Sequence, residues 1–193
     1  MSIKLTLPVP PSVNQAYGLT TQYVGGRAIP LKYLTPKAKS YKSYVAKTCK
    51  RAMKELKIDF LTKEKNEFVE MEICFYLNRK RRDADNTFKL MFDGIVSSGM
   101  IPDDDIILYS VKNIYIDRED PRVEVVIKKS EKTGIFENYE TFSRFKDNNC
   151  AKCKKSTYKR TCSTIRDALD NILGEDINLE RLECEKIVPN NTK

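Results

Sequence analysis

Residues 2–8, SIKLTLP, alternate apolar and polar positions and predict a strand. Pro8, Pro10 and Pro11 end it, and PVPPSVNQAYG reads as an extended loop. Residues 22–34 place two short β-like pieces around Gly25-Gly26, a hairpin pattern. The period changes at 35. Thr35-Pro36 forms an N-cap and first-turn pair. Tyr41, Tyr44, Val45, Thr48, Cys49, Ala52, Met53 and Leu56 then recur at helical spacing. The opposite face carries Lys37, Lys39, Lys42, Lys47, Lys50, Arg51 and Lys54. It is either a solvated surface or a face that meets a polyanion.

Residues 67–78, EFVEMEICFYLN, put Val69, Met71, Ile73, Phe75 and Leu77 on one side and form the clearest strand. Two more strands follow at 106–117 and 122–129, joined by the turn Arg118-Glu119-Asp120-Pro121. Between the strands, Phe88, Met91, Phe92, Ile95 and Val96 make a helical stripe, and Gly99 is placed to end that helix. After Lys129 the chain turns polar, Lys-rich and Cys-bearing, with a short helix expected at Thr164–Leu173. The chain therefore divides into residues 1–130 and a C-terminal extension, 131–193.

A length of 193 residues suits one well-buried domain with an appendage. Apolar residues at 40% and charged residues at 32% describe a globular chain. No apolar run approaches the ~20 residues of a membrane span, and the first residues lack a signal-peptide pattern. The expected setting is intracellular, the cytoplasm of a bacterium or of a phage host. The net charge of +8 favours a polyanionic partner, most simply nucleic acid. The chain has no histidine, which excludes Ser-His-Asp, Cys-His and histidine-metal chemistry. Catalysis would have to use carboxylates, Lys, Tyr, Cys or a metal on oxygen ligands.

The acids that qualify lie around the helix of the stripe. Arg81 and Arg82 precede Asp83 and Asp85, and Asp103-Asp104-Asp105 follow Gly99. Asp85, Lys89 and Asp93 are four apart and off the apolar stripe. If the chain after Gly99 runs back along the helix, Asp83, Asp85 and one of Asp103–Asp105 converge. Such a cluster is costly unless cations occupy it, and hard oxygen ligands suit Mg2+ or Mn2+. The plainer reading makes Asp83 and Asp85 a cap and a solvated turn. A calcium EF-hand fails, because Phe88 and Gly94 stand where that loop needs Gly and Glu.

Arg82-Asp83-x-Asp85-Asn86-x-x-Lys89-x-x-x-Asp93-x-Ile95, with Gly99 and Asp103-Asp104 beyond, resembles the RusA family of Holliday-junction resolvases. The early PVPPSVNQAY and the helix after Thr35 are similar to that family in order, so the likeness covers about residues 3–129. The resemblance implies an α+β fold, a mixed sheet flanked by helices, and a symmetric homodimer. It implies Mg2+-dependent cleavage of four-way DNA junctions in recombination and repair. By position it makes Asp83, Asp85 and Asp104 the metal-binding acids and Lys89 the catalytic lysine. The run of three aspartates leaves open a share for Asp103 or Asp105. Asn14, Arg79, Lys80, Arg81 and Arg82 are the expected DNA contacts.

The tail lies outside the resemblance. Cys150-x2-Cys153-x8-Cys162-x21-Cys184 could supply four thiolates to a structural Zn2+, although the last spacing is long for any standard pattern. Free thiols and an iron–sulfur site are the alternatives. For the whole chain, the rival function is a non-catalytic DNA-binding protein on the same fold. It would need the charge but not Asp83, Asp85, Asp104 and Lys89 together. A carboxylate-pair glycosidase is disfavoured by the absence of Trp and by the arginines beside the acids.

Overall fold

A computed structural model of the chain describes residues 2–62, 67–80, 88–157 and 162–189. The fold is α+β, with a mixed four-stranded sheet, helices and small C-terminal strands. It divides into two compact units, Met1–Lys63 with Val69–Lys129, and Glu64–Phe68 with Ser130–Lys193.

The first unit is built on strands β1 (Ser2–Pro8), β4 (Glu67–Leu77), β5 (Ile107–Ile116) and β6 (Arg122–Thr133). Their order across the sheet is β1-β6-β4-β5. β1 runs antiparallel to β6, with Ile3 opposite Ile127, Leu5 opposite Val125 and Leu7 opposite Val123. Two side-chain pairs orient β6 against β4. Lys128 meets Glu70 at 2.8 Å, and Arg122 lies over the ring of Tyr76 at 3.7 Å. One number falls as the other rises, so these strands are also antiparallel. β4 and β5 are parallel, which requires a crossover, and α3 (Phe88–Ser97) lies in it.

Strict alternation puts Ile3, Leu5, Leu7, Val123, Val125, Ile127, Met71, Ile73 and Phe75 on one buried face. α2 (Pro36–Glu55) contributes Ala38, Tyr41, Val45, Cys49 and Met53 to the same core, and α3 adds Leu90, Met91, Phe92 and Ile95. The buried side of α3 is thus wider than the expected stripe. Phe88 and Val96 are only half-buried, while Leu90 and Gly94 are buried. Gly94 is needed because a Cβ there would stand 2.7 Å from Val45 Cβ, so the absent side chain lets α2 and α3 approach. Thr35 caps α2 as expected, its Oγ1 accepting from the Ala38 N–H at 3.3 Å. Gly99, at φ +81, ends α3.

The N-terminal loop departs from its expected irregularity by one turn of helix, α1 (Val13–Ala16), where the Ser12 carbonyl accepts from the N–H groups of Gln15 and Ala16. The hairpin is longer than the sequence pieces suggested. β2 (Tyr17–Val24) pairs with β3 (Arg27–Leu34), and Gly25 and Gly26 at φ +59 and +78 supply the two-residue turn.

The second unit contains α4 (Tyr139–Asn149), α5 (Lys154–Thr157), α6 (Ser163–Leu169), β7 (Ile177–Asn178) and β8 (Glu183–Cys184). Phe136, Phe142, Phe145, Ala168 and Ile177 form its core. The expected helix at 164–173 is present as α6, shorter at its C-terminal end. The helix α4 was not anticipated, since only Phe142 and Phe145 mark its apolar side.

Candidate active site

Lys89 stands in the first turn of α3, exposed over 62% of its side chain, with Asp93 one turn on at 4.0 Å. Phe88 beside it points the other way. Its ring packs on Phe75 of β4, Phe92 of α3 and Tyr109 of β5 at centroid distances of 5.8, 5.7 and 4.9 Å. These contacts fix the start of α3 over the first residues of β5.

Asp104 lies just before that strand. Its carbonyl accepts from the Ile107 N–H at 3.2 Å, and Ile106 in turn accepts from the Val69 N–H at 3.0 Å, so the turn is anchored to β4. Among the three adjacent aspartates the environment differs. The Asp103 carboxylate accepts from the Asp104 N–H at 2.8 Å, holding the turn. Asp105 is exposed, and Asp104 is half-buried. A polypeptide path runs from Asp104 through Ile107 to Tyr109, and from the Tyr109 ring to Phe88 and Lys89. The 103–105 turn thus leads directly into β5, the strand whose Tyr109 packs on Phe88.

Arg81, Arg82, Asp83 and Asp85 lie outside the described residues. Arg79 and Lys80 are exposed immediately past β4. Asn14 is exposed on α1, and that single turn is tied to the start of α2. Thr35 Oγ1 donates to the Gln15 carbonyl at 2.9 Å, and the Thr35 N–H donates to the Ala16 carbonyl at 2.9 Å.

The basic face expected on α2 belongs to a longer acid-free segment. No Asp or Glu occurs before Glu55, yet Lys4, Arg27, Lys32 and the seven basic residues of α2 all precede it. The first 54 residues thus carry more than the whole net charge of +8. On α2, Lys39, Lys47, Lys50, Arg51 and Lys54 are exposed on the side away from Val45 and Cys49, beside Ser43 and Tyr44.

In the tail, Cys150 follows α4 and its carbonyl accepts from the Cys153 N–H at 3.2 Å. The Cys184 N–H donates to Asn149 Oδ1 at 2.9 Å. Burial, and then the thiols of Cys162, Cys184 and Cys153, push the Cys150 thiol up from its ordinary value. All four are free, and among the described residues no three of His, Cys, Asp or Glu are placed to hold one metal ion. The zinc expected at Cys150, Cys153, Cys162 and Cys184 thus finds a turn of the right kind but no formed site. Cys184 lies in the pairing of β8 with β7, where it faces Ile177, and Asn149 ties that strand to the residue before Cys150. No described helix is long and apolar enough to cross a membrane.

The model for Endodeoxyribonuclease RusA matches residues 8–128. The chain belongs to the RusA family. It is 31% identical over 100 residues to the crossover junction endodeoxyribonuclease RusA of Escherichia coli strain K12, covering 52% of this chain and 72% of that protein. The corresponding protein of E. coli O139:H28 strain E24377A is 30% identical over 104 residues, covering 54% of this chain and 75% of its own. The RusA match stops at residue 128, so residues 129–193 lie outside it.

Proposed function

We propose that this RusA-family chain is a structure-specific endodeoxyribonuclease that resolves four-way DNA junctions by Mg2+-dependent phosphodiester hydrolysis, acting as a homodimer. The observation that supports the proposal is the Phe88–Tyr109 ring contact, which sets the start of α3, bearing Lys89, against β5, the strand that follows Asp104. The order Asp83, Asp85, Lys89, Asp104 is that of the family's acids and lysine.

The residues suit Mg2+. All the candidate ligands are carboxylates, and hard oxygen donors are what that ion prefers. Asp83, Asp85 and Asp104 would hold it. Asp104 is taken as the third ligand by its position in the family motif, while one Asp103 carboxylate oxygen accepts from the Asp104 N–H and holds the turn. Bound there, Mg2+ would polarise a phosphate oxygen and lower the pKa of a bound water. Lys89 would offer positive charge to the scissile phosphate or the leaving oxygen, and among the described residues its ammonium makes a weak pair with Asp93. Arg79 and Lys80, with Arg81 and Arg82 next in sequence, would receive the flanking phosphates. The acid-free face of α2 would supply a second track for backbone phosphates.

The test uses a labelled synthetic four-way junction and a linear duplex of the same sequence, each with Mg2+ and with EDTA. Junction-selective, metal-dependent nicking, lost in Asp83→Asn, Asp85→Asn and Asp104→Asn with junction binding retained, is expected. Binding without any metal-dependent nicking by the wild type would instead support a DNA-binding protein on the same fold.

A further inference from the structure

Among the described residues β5 is the outer strand of its sheet, and its second half is exposed. Across β4, Met71, Ile73 and Phe75 are fully buried and Leu77 is 3% exposed. Their partners on β5 are Tyr109 opposite Met71, Val111 opposite Ile73, Ile114 opposite Phe75 and Ile116 opposite Leu77. These four are 51%, 40%, 51% and 43% exposed. One apolar face therefore runs across the sheet and is left open at its last strand. An apolar edge with unpaired backbone groups is a template for another strand, and soluble proteins charge it or cover it.

The only charge within the strand is Lys112, and its position is informative. The register shifts between Ile73 and Cys74, since Ile73 faces Val111 and Cys74 faces Asn113, so Lys112 is an extra residue. The bulge resets the alternation, which is why Tyr109 and Val111 before it share a face with Ile114 and Ile116 after it. The strand thereby gains a mirror pattern about the Lys112–Asn113 bond. Val111 matches Ile114, and Tyr109 matches Ile116.

We propose that β5 pairs antiparallel with β5 of a second copy of this chain, across a twofold axis at Lys112–Asn113. Residues directly opposite one another in an antiparallel pair share a face. In this register Val111 lies opposite the partner's Ile114, and Tyr109 opposite the partner's Ile116. A single set of contacts is then made twice, as an isologous interface requires. Lys112 lies opposite the partner's Asn113, not opposite a like charge, and Glu72 of its own chain already neutralises it at 3.1 Å. The neighbouring register, centred on Lys112 itself, would set two ammonium groups against each other. A second copy is thus the occupant that the pattern of this edge fits.

This interface specifies the dimer invoked in the proposed function, but its test needs no DNA. Sedimentation equilibrium at tens of micromolar should give wild-type protein twice the 22.3 kDa of one chain. Val111→Glu and Ile114→Glu should each give the single-chain mass with an unchanged circular dichroism spectrum. A double variant, Val111→Cys with Ile114→Cys, should form under mild oxidation a linked dimer whose mass-mapped bridge joins 111 of one copy to 114 of the other. A monomeric wild type overturns the proposal. So does a dimer that survives both glutamates, or one broken by Leu19→Glu on the exposed β2–β3 hairpin but not by them. A dimer whose oxidised double variant shows no 111–114 bridge overturns the register. Junction cleavage by a monomeric wild type would leave the nuclease reading standing and remove only this interface.

Discussion

The ring of Phe88, the first residue of α3, lies against the ring of Tyr109 on β5 with their centroids 4.9 Å apart. Lys89 follows directly on the exposed side, so the orientation of the lysine is inherited from an aromatic contact behind it. Phe88→Leu keeps apolar bulk but removes the ring pairings. It should lower stability by about 1–2 kcal/mol. It should also slow junction cleavage at saturating DNA by about tenfold or more, since small misplacements of a reacting group are expensive. Urea unfolding and single-turnover kinetics measure the two effects. Unchanged turnover with reduced stability would mean that the contact is structural only.

Lys89 and Asp93 test whether charge at the start of α3 serves folding or chemistry. Their separation of 4.0 Å and the 62% exposure of Lys89 describe a weak helical pair. Lys89→Ala should therefore change stability by less than about 0.5 kcal/mol while reducing the cleavage rate by about a hundredfold or more. Asp93→Asn should leave both near wild type. Equal rate losses in the two variants would point to the pair, not the lysine, as the functional unit.

The fold was legible wherever a face is uniformly buried. β1, β4 and β6 alternate because one side of each meets the core, and α2 announces itself through Thr35-Pro36. β5 was found as a strand, but its sequence could not show that Tyr109, Val111, Ile114 and Ile116 share a face, because the bulge at Lys112 interrupts the period. In the C-terminal unit, α4 was missed since only two phenylalanines carry its packing. Gly134, at φ +57, is also a tertiary requirement. A Cβ there would collide with the Ala168 carbonyl, a contact across 34 residues that no local pattern encodes. For the site, Asp104 came from the family resemblance, and the sequence could not show that the Asp103 carboxylate accepts from the Asp104 N–H.

The basic face of α2 makes a prediction about salt. From Lys39 to Lys54 it spans about 22 Å, several base pairs of duplex. If Lys47, Lys50 and Lys54 each neutralise a phosphate, replacing all three with Ala should reduce the slope of log K against log salt by about 2.7. The single-turnover rate at saturating junction should stay near wild type, because none of the three is near Phe88 or Asp104 in the chain. An unaltered slope would make this face a solvated one.

Gly94 sets the distance between the two helices of the first unit. A methyl group there would meet Val45 Cβ at 2.7 Å and the Lys42 carbonyl at 3.2 Å, and Val45 is fully buried. Helix propensity alone favours Gly94→Ala by about 1 kcal/mol. Overpacking against a buried neighbour costs about 1–3 kcal/mol. The steric term should win, giving a net loss measurable by urea unfolding. Val45→Ala combined with Gly94→Ala should recover part of it, and simple additivity of the two losses would show that they do not meet.

Two buried acids predict a loss of stability in alkali. Burial raises the Cys49 thiol from 9.0 to about 11, with the Ser98 hydrogen bond acting in the opposite direction. Burial also raises Tyr41, whose hydroxyl has no hydrogen-bond partner among the described residues. Both groups are neutral when protonated, so the folded chain holds its protons to a higher pH than the unfolded chain does. Their contribution is intact below pH 9 and is lost as pH rises, for Cys49 between about 9 and 11. That loss is on the order of 2–3 kcal/mol for Cys49, from about 1.4 kcal/mol per unit. Cys49→Ala should be less stable than wild type at pH 8 through loss of the buried sulfur. The gap should narrow or reverse near pH 11, while the decline due to Tyr41 persists. A gap between the two proteins that stays constant from pH 8 to about 11 would show that Cys49 takes no part in the alkaline transition.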